Sequence, residues 1–245
     1  MTAIRITVTK TAGSVPREAG TQMLVWADHI EGTIGGGTLE WEAMAEARRM
    51  LRDGRRLHRA TMPLGPALGQ CCGGSVSLLW EEAEAMTMPP ARPLWIYGAG
   101  HVGRALVGVM APLPDYDITW VDTAADRFPQ TGVTTLVAVD PTLVVKHAPN
   151  DADHLILTYS HEIDLALCHA VLNHDFHSVG LIGSATKWAR FRSRLAALGH
   201  SHAQISRIAC PIGDPRLGKH PAEIALGVAT AMISAGKRAT KDRTA

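Results

Sequence analysis

A cluster of glycines directly after a predicted strand constrains the fold of this chain more than any other feature. The apolar segment 94–97 predicts a strand that runs into Gly98, Gly100 and Gly103, spaced as G-x-G-x-x-G at the start of a predicted helix. Asp122 ends the next predicted strand, near the spacing of about 20 residues typical of an acid that binds a ribose hydroxyl. In such a turn the first glycine makes the bend, the second admits a phosphate and the third lets the helix pack on the strand. This context predicts a nucleotide-binding type of α/β fold.

The rest of the second half predicts strands and helices in alternation. Further strands are expected at 118–122, 134–138, 154–158 and 178–182, and helices at 102–110, 162–172, 185–198 and 221–235. Alternation of this kind indicates a parallel sheet covered by helices on both faces.

A second glycine turn follows the strand predicted at 178–182. Ser184 or Thr186 is suited to cap the next helix, but Lys187 and Arg190 lie in its first turns, where the helix dipole disfavours cations. A bound anion would offset that mismatch, which makes Ser184 and Lys187 candidate ligands of an anion. The alternative is a solvated basic face that continues through Arg192 and Arg194.

The first half predicts a smaller α+β unit. Strands are expected at 4–8, 23–26, 30–34 and 74–80, with one amphipathic helix at 39–51. Segment 81–93 is acidic and then proline-rich, which is typical of a short, stiff linker. We therefore predict two domains, at 1–88 and 92–238.

Composition limits the classes of partner and compartment. The 24 Lys and Arg residues nearly balance the 23 Asp and Glu residues, which disfavours nucleic-acid binding. No apolar run approaches the ~20 residues that a membrane span needs. The N-terminus alternates as a strand rather than as a signal peptide, and four cysteines are too few for a disulfide scaffold. A cytoplasmic protein with reduced thiols and no contact with membranes is expected.

The most unusual stretch of the chain is Gln70-Cys71-Cys72 between glycines. Small neighbours leave at least one of these thiols open to solvent or a ligand, and the surrounding N–H groups would lower its pKa. A zinc site is poorly supported, because no second cysteine pair is present. The alternative is one buried thiol with an incidental neighbour. Two more glycine-rich loops, at 12–20 with Arg17 and at 32–37, suggest a recognition surface in the same half.

Seven blocks of the sequence together resemble the xanthine dehydrogenase accessory proteins of the XdhC/CoxI family. They are 13–20 (GSVPREAG), 32–41 (GTIGGGTLEW), 65–74 (GPALGQCCGG), 96–105 (IYGAGHVGRA), 179–184 (VGLIGS), 210–213 (CPIG) and 221–225 (PAEIA). The resemblance covers nearly the whole chain, and its glycine-rich and Cys-Cys blocks are highly specific.

The resemblance implies an N-terminal XdhC domain followed by a C-terminal Rossmann-type domain with a parallel sheet. It also implies a chaperone, not an enzyme, that binds the molybdenum cofactor (molybdopterin) and protects it during sulfuration by a cysteine desulfurase. Delivery to apo-xanthine dehydrogenase, at its molybdenum-binding subunit, and a homodimeric state are implied as well.

This function makes ten residues candidates for cofactor binding, namely Arg17, Gln70, Cys71, Cys72, Gly98, Gly100, Gly103, Asp122, Ser184 and Lys187. The soft thiolates of Cys71 and Cys72 would contact molybdenum or a sulfur in transit. A nucleotide at the glycine turn is a further expectation. Two alternatives stay open, an NAD(P)-dependent oxidoreductase that uses this turn and Asp122, and a redox-sensing protein that uses the cysteine pair.

Overall fold

The chain folds into two compact units, which comprise Met1–Met88 and Pro89–Ala245. The computed structural model describes residues 2–64, 73–87 and 90–242, with side chains of the last helix described to residue 236. Each unit has its own sheet and its own hydrophobic core. In these ranges no helix combines the length and apolar character that a bilayer crossing requires.

The N-terminal unit is an antiparallel sheet with one helix packed on it. Its described elements are β1 (Ala3–Ala12), β2 (Gln22–Val25), β3 (Ile30–Gly32), α1 (Gly37–Asp53), β4 (Leu57–Pro63) and β5 (Ser75–Ala83). The strands lie in the order β3-β2-β1-β5-β4. In the central strand β1, Ile6 faces Met23 of β2 and Trp80 of β5 across the ladders.

The core of this unit lies between the sheet and α1. Ile4, Ile6 and Val8 alternate along β1 and are buried, because period-two alternation places them on one face. Helix α1 buries a stripe at helical spacing against them, formed by Leu39, Ala43, Ala47 and Met50. The indole Nε1 of buried Trp80 donates to the Ala43 carbonyl at 2.9 Å, which fixes the helix on the sheet.

Two local features of this half differ from what the sequence predicts. No strand is predicted at the edge strand β4, since its half-buried positions His58, Ala60 and Met62 include a polar and a small residue and give only weak apolar alternation. The linker predicted at 81–93 is too long, since β5 continues to Ala83, which pairs with Ala3. One of the acidic residues that suggest a linker, Glu81, forms an ion pair with Arg5 at 2.9 Å on this ladder.

The C-terminal unit is a parallel sheet with helices on both faces, which confirms the predicted fold class. Its described strands are β6 (Arg92–Tyr97), β7 (Tyr116–Asp122), β8 (Thr134–Val137), β9 (Asp153–Ile156), β10 (Ser178–Leu181) and β11 (Ile208–Ala209). Its α-helices are α2 (His101–Met110), α3 (His161–Leu172), α4 (Ala185–Ala197), α5 (His202–Ile205) and α6 (Pro221–Asp242). Strand β11 and helix α5 are too short to show a periodicity, and the sequence does not predict them.

Two apolar clusters lie on opposite faces of this sheet. Trp95 and Tyr97 of β6 face the cluster that includes α3 and α4, and Leu94 and Ile96 face the cluster that includes α2 and α6. A strand buried on both sides in this way has no polar face, which explains its continuous apolar sequence.

The strand order β11-β10-β9-β6-β7-β8 places the first strand of this unit, β6, between β9 and β7. From β6 the chain builds the sheet first through β7 and β8 and later through β9, so the order reverses beside β6. In open parallel sheets, ligands bind outside the carboxyl ends of the strands at such a reversal. The glycine turn lies there.

Candidate ligand-binding site

The glycine turn after β6 is a tightly packed bend in which two glycines are required. Gly98 has a φ of +118°, and a Cβ added to it would lie 2.4 Å from the carbonyl oxygen of Leu157. A Cβ on Gly103 would lie 2.0 Å from the carbonyl oxygen of Gly98. These two positions therefore serve close backbone packing, as the spacing predicts for the first and third glycines.

Gly100 differs from its neighbours because it faces open space. A Cβ at this position would meet no atom within 4 Å. Gly100 is the N-cap residue of α2, and no side chain caps this helix. The first N–H groups of a helix lack partners within the helix and attract anions. This arrangement suits a phosphate group that approaches the backbone.

Asp122 closes the turn instead of pointing into open space. Its carboxylate is almost fully buried, and Oδ2 accepts a hydrogen bond from the Ala99 N–H at 2.5 Å. The other oxygen, Oδ1, accepts from the Thr123 N–H at 2.6 Å and from the Thr123 hydroxyl at 3.1 Å. A ribose hydroxyl would have to compete with these donors, so the predicted ribose contact stays a prediction.

Arg127 and Tyr159 lie beside Asp122, and neither is predicted from the sequence as a site residue. The Arg127 Nε lies 2.8 Å from Asp122 Oδ1 in an ion pair, although its N–H is not aligned for a hydrogen bond. The Arg127 guanidinium stacks 4.7 Å from the centroid of the Tyr159 ring. An arginine five positions after the acid and a tyrosine just past a strand end are the signals available in the sequence.

The turn before α4 does not present its lysine to an anion. The Ser184 hydroxyl caps the helix and accepts from the Lys187 N–H at 3.1 Å, as expected of an N-cap serine. The Lys187 ammonium, however, turns inward and donates to Asp164 Oδ2 at 2.5 Å and to the Ile182 carbonyl at 2.8 Å. Asp164 also accepts from the Thr158 hydroxyl at 2.7 Å. The mismatch between Lys187 and the helix dipole is thus offset by a buried carboxylate.

Cys168 and Cys210 lie near the ion pair of Lys187 and Asp164, and both are free thiols. Burial raises the pKa of Cys210 to about 11, with a smaller opposing effect of Lys187. Burial raises the pKa of Cys168 as well. Both thiols are therefore protonated at neutral pH, in contrast to the low pKa that reactive cysteines need.

In the N-terminal unit, three glycine-rich segments meet. A Cβ on Gly35, whose φ is +126°, would lie 2.7 Å from the Pro16 side chain and 3.5 Å from the Arg17 Cγ. A Cβ on Gly74 would lie 2.4 Å from the Ser14 carbonyl oxygen. Segments 12–20, 32–37 and 73–74, which we call the glycine-loop cluster, therefore pack closely against one another.

Glu40 holds the middle segment of the glycine-loop cluster. Its Oε2 accepts from the Thr33 hydroxyl at 2.5 Å and from the N–H groups of Ile34 and Gly36 at 2.9 and 3.0 Å. Burial raises the pKa of Glu40, but these hydrogen bonds outweigh burial and leave the pKa below its usual range. Glu40 is thus a structural anion that holds the loop before α1.

On its outer side the glycine-loop cluster is uncovered by the other described residues. Among those residues, a Cβ added to Gly36 or to Gly73 would meet no atom within 4 Å, and Arg17, next to Gly35, is exposed. Gln70, Cys71 and Cys72 lie outside the described residues, so their predicted roles stay predictions. In the sequence they directly precede Gly73. Within the described ranges, no group of three or more His, Cys, Asp or Glu residues is placed to hold a metal ion.

Comparison with known families agrees with this architecture. Residues 2–60 match the XdhC and CoxI family, and residues 94–232 match the XdhC Rossmann domain. The chain belongs to the XdhC and CoxI family. The family expected from the seven sequence blocks is thereby confirmed, and the turn with Gly98, Gly100 and Gly103 lies inside the Rossmann match.

Two similar proteins place this XdhC-family chain among known sequences and structures. The uncharacterized protein YqeB of Escherichia coli K12 is 30% identical over 226 residues, which cover 88% of this chain and 40% of YqeB. The chain therefore spans about two fifths of the length of this curated relative. A solved structure from Bacillus halodurans, described as a xanthine dehydrogenase, has a TM-score of 0.79 at 17% identity. The matched region covers 95% of this chain and 91% of the Bacillus halodurans chain, and the match supports the fold.

Proposed function

We propose that this chain is a cytoplasmic maturation factor for a xanthine dehydrogenase-type enzyme, without turnover of its own. It binds the molybdenum cofactor, supports its sulfuration by a cysteine desulfurase and inserts it into the apo-enzyme. Its partners in this proposal are the molybdenum-binding subunit of the client, the desulfurase and a second copy of the chain. Membership of the XdhC and CoxI family supports a role in maturation.

The observation that carries the proposal is the convergence of the three segments in the glycine-loop cluster. It joins exposed Arg17 to bare backbone at Gly36 and Gly73, directly after the Cys71-Cys72 pair in the chain. The cofactor carries a phosphate, a pterin ring and a metal dithiolene. A guanidinium suits the phosphate, open backbone groups suit the hydrogen-bonding edge of the pterin, and soft thiolates suit molybdenum or sulfur. The residues of this unit therefore fit the group chemically.

The C-terminal unit supplies a second place for a phosphate, at the uncapped start of α2 beside Gly100. A nucleotide or the phosphate end of the pterin cofactor fits this chemistry. The same feature is the basis of the alternative function, an NAD(P)-dependent oxidoreductase. That alternative would require a ribose hydroxyl to reach Asp122 Oδ2, which already accepts from the Ala99 N–H and is almost fully buried.

The test is cofactor loading in a host that makes the molybdenum cofactor. The full chain is purified without oxygen and oxidised to release the fluorescent pterin, and molybdenum is measured in the same sample. We expect both in the wild type, with clear loss of both in Cys71→Ala or Cys72→Ala and a partial loss in Arg17→Ala. Cys210→Ala is the matched control, because it removes a half-buried thiol of the other unit.

Two results would contradict the proposal. A wild-type chain that carries neither pterin nor molybdenum, and binds NADH at micromolar concentration, would identify the oxidoreductase instead. Unchanged loading in both cysteine variants would exclude the thiols as cofactor contacts. Circular dichroism of each variant separates a lost contact from a lost fold.

A further inference from the structure

Arginine is concentrated in one short stretch of the N-terminal unit. The stretch runs from the last turns of α1 into the beginning of β4, and we call its arginines the arginine patch. The members of the patch are Arg48, Arg49, Arg52, Arg55, Arg56 and Arg59. Because the net charge of the whole chain is only +1, this basic surface is a local feature of an otherwise balanced protein.

Carboxylates neutralise only part of the arginine patch. Glu46 lies 2.6 Å from Arg49 and 2.7 Å from Arg55, and a further carboxylate, Glu82, lies 3.0 Å from Arg56. Two other arginines of the patch, at positions 52 and 59, are exposed and have no acidic partner among the described residues. The dipole of α1 explains the first of them, which lies in its last turn, but not the second, which belongs to β4.

Strand β4 is an edge of its sheet, and its outer side carries unpaired backbone groups. It pairs with β5 in an antiparallel ladder, and the Glu82 N–H donates to the Arg56 carbonyl at 2.9 Å in the same register. Hydrogen-bonded pairs alternate along such a ladder, so the even-numbered residues of β4 bond to β5. Leu57, Arg59 and Thr61 therefore direct their N–H and carbonyl groups away from the sheet.

These outward groups are accessible. Leu57 is 59% exposed, and Arg59 and Thr61 are exposed as well. No other described residue forms a hydrogen bond with their outward backbone groups. An edge strand with unpaired N–H and carbonyl groups is a template for one further strand, supplied by another chain.

Charge determines which strand fits this edge. Arg59 is the middle one of the three outward residues, so antiparallel pairing with β4 of a second copy would bring arginines of the two copies together. A charge on an edge strand opposes such self-pairing. The same arginine attracts a strand that carries carboxylates.

We propose that the β4 edge binds an extended acidic segment of a partner protein as an added strand. The backbone of the segment pairs with Leu57, Arg59 and Thr61. Side chains of a strand alternate between its faces, so carboxylates at every second position lie on the face of Arg59. Further carboxylates of the partner meet the rest of the arginine patch. This site holds a partner protein whatever the chain carries, and it is therefore independent of cofactor binding.

The test is binding of a synthetic peptide with alternating glutamate and valine, acetyl-TEVEVET-amide, to the full chain. Fluorescence anisotropy of the labelled peptide gives the Kd, and amide hydrogen exchange locates the contact. We expect saturable binding at submillimolar concentration and slower exchange of the N–H groups of Leu57, Arg59 and Thr61. The same peptide with lysine in place of glutamate should not bind in this range.

Two variants separate the charge from the backbone contact. Arg59→Glu reverses the charge and should raise the Kd about tenfold. Thr61→Pro removes an outward N–H but no hydrogen bond to β5, and should raise the Kd about fivefold. Thr61→Ala is its matched control, since it also loses the hydroxyl contact with Ser77 at 2.9 Å but keeps the N–H. Arg190→Ala, which removes an exposed arginine of α4, should leave the Kd unchanged.

Each outcome decides the proposal. Slower exchange at the three N–H groups, with both rises in Kd, supports strand addition. Binding without slower exchange, or with equal Kd values in Thr61→Pro and Thr61→Ala, indicates a diffuse charge contact and overturns it. Absence of binding, equal binding of the lysine peptide, or tighter binding of a thymidine oligonucleotide overturns it as well. Thermal melts confirm the fold of each variant, and the exchange result on the wild type needs no variant. Cofactor loading is measured separately, so failure here leaves the maturation role to its own test.

Discussion

Two helices of the C-terminal unit begin after a strand and a glycine-containing turn, but their first turns differ. Helix α2 follows Gly100, has no side-chain cap and faces open space. Helix α4 follows Ser184, whose hydroxyl caps it, and carries Lys187 in its first turn. The Lys187 ammonium is 9% exposed and pairs with Asp164, which is 1% exposed.

This difference shows that a basic residue at the start of a helix is not by itself evidence of an anion site. The cation of α4 is neutralised by a carboxylate of a neighbouring helix, so this helix start needs no external anion. The start of α2 has no such internal partner among the described residues and keeps its N–H groups available. An anion site is therefore better supported by missing internal partners than by the presence of a positive charge.

The largest effect is expected from breaking the pair at α4. Asp164→Asn leaves the buried Lys187 ammonium without its counter-charge, which costs about 3–5 kcal/mol of unfolding free energy for pairs of this kind. Urea unfolding measures the loss. Glu162→Gln, on the exposed side of α3, is the matched control and should change stability little.

A second substitution tests whether the stability lost in Asp164→Asn comes from the unpaired charge of Lys187 or from poor packing of the new side chain. Adding Lys187→Met to Asp164→Asn removes the unpaired charge and should restore part of the lost stability. If Asp164→Asn alone costs less than about 1 kcal/mol, the lysine is reaching solvent and the contrast between α2 and α4 is wrong.

The next effect compares two glycines within the turn before α2. Gly98→Ala puts a Cβ 2.4 Å from a backbone carbonyl at a φ of +118°, so a loss of about 3 kcal/mol is expected. Gly100→Ala meets no atom within 4 Å and should cost only about 0.5 kcal/mol. Chemical denaturation of both variants checks the difference. Equal losses would show that Gly100 is also required for packing.

The glycine turn could be predicted from the sequence because its causes are local. Gly103 packs against the carbonyl of Gly98 in the same turn, and Gly98 packs against the carbonyl of Leu157, just past the adjacent strand. These short-range contacts impose the glycine spacing that is visible in the sequence. The packing of β6 follows from its apolar run for the same reason.

The partners of the charged residues could not be predicted in this way. Lys187 meets Asp164 from another helix, and Arg127 meets Tyr159 across β6, so neither pair leaves a periodic or spaced signal in the chain. The sequence identifies the groups that carry charge, but the tertiary fold determines which charges remain available. For this reason the sequence alone suggests Lys187 as an anion ligand and does not single out Arg127.

A smaller effect concerns the caps themselves. Ser184→Ala removes the hydroxyl that accepts from the Lys187 N–H and should cost about 1 kcal/mol. Gly100→Ser would add a cap to α2, where a Cβ meets open space, and should raise stability by about 0.3 kcal/mol. Thermal unfolding with matched buffers resolves the first change. An unchanged thermal stability of Ser184→Ala would mean that water replaces the serine hydroxyl as the cap.

The opposite end of the strands offers the last comparison, since it buries an ionisable group without pairing it with a counter-charge. His154, near the start of β9, is fully buried, and its Nδ1 lies 3.1 Å from the Tyr97 hydroxyl. Burial, with a smaller effect of His174, lowers the pKa of His154 from 6.5 to about 4, against the opposing effect of Asp153. The fold therefore holds the neutral ring, and this contribution to stability is complete above pH 6.5 and is lost as the pH falls toward 4.

We expect the unfolding free energy to fall by about 1 kcal/mol between about pH 7 and pH 5.5 through this one residue. The measurement is the difference in slope between the wild type and His154→Gln, which isolates the contribution of this one residue. The variant keeps a polar group near Tyr97 but cannot take up a proton, and its curve should be flatter. Parallel curves would mean that His154 takes up its proton in the folded protein over the same pH range as in the unfolded chain, in which case the buried charge must have a partner, as Lys187 has at the other end of the strands.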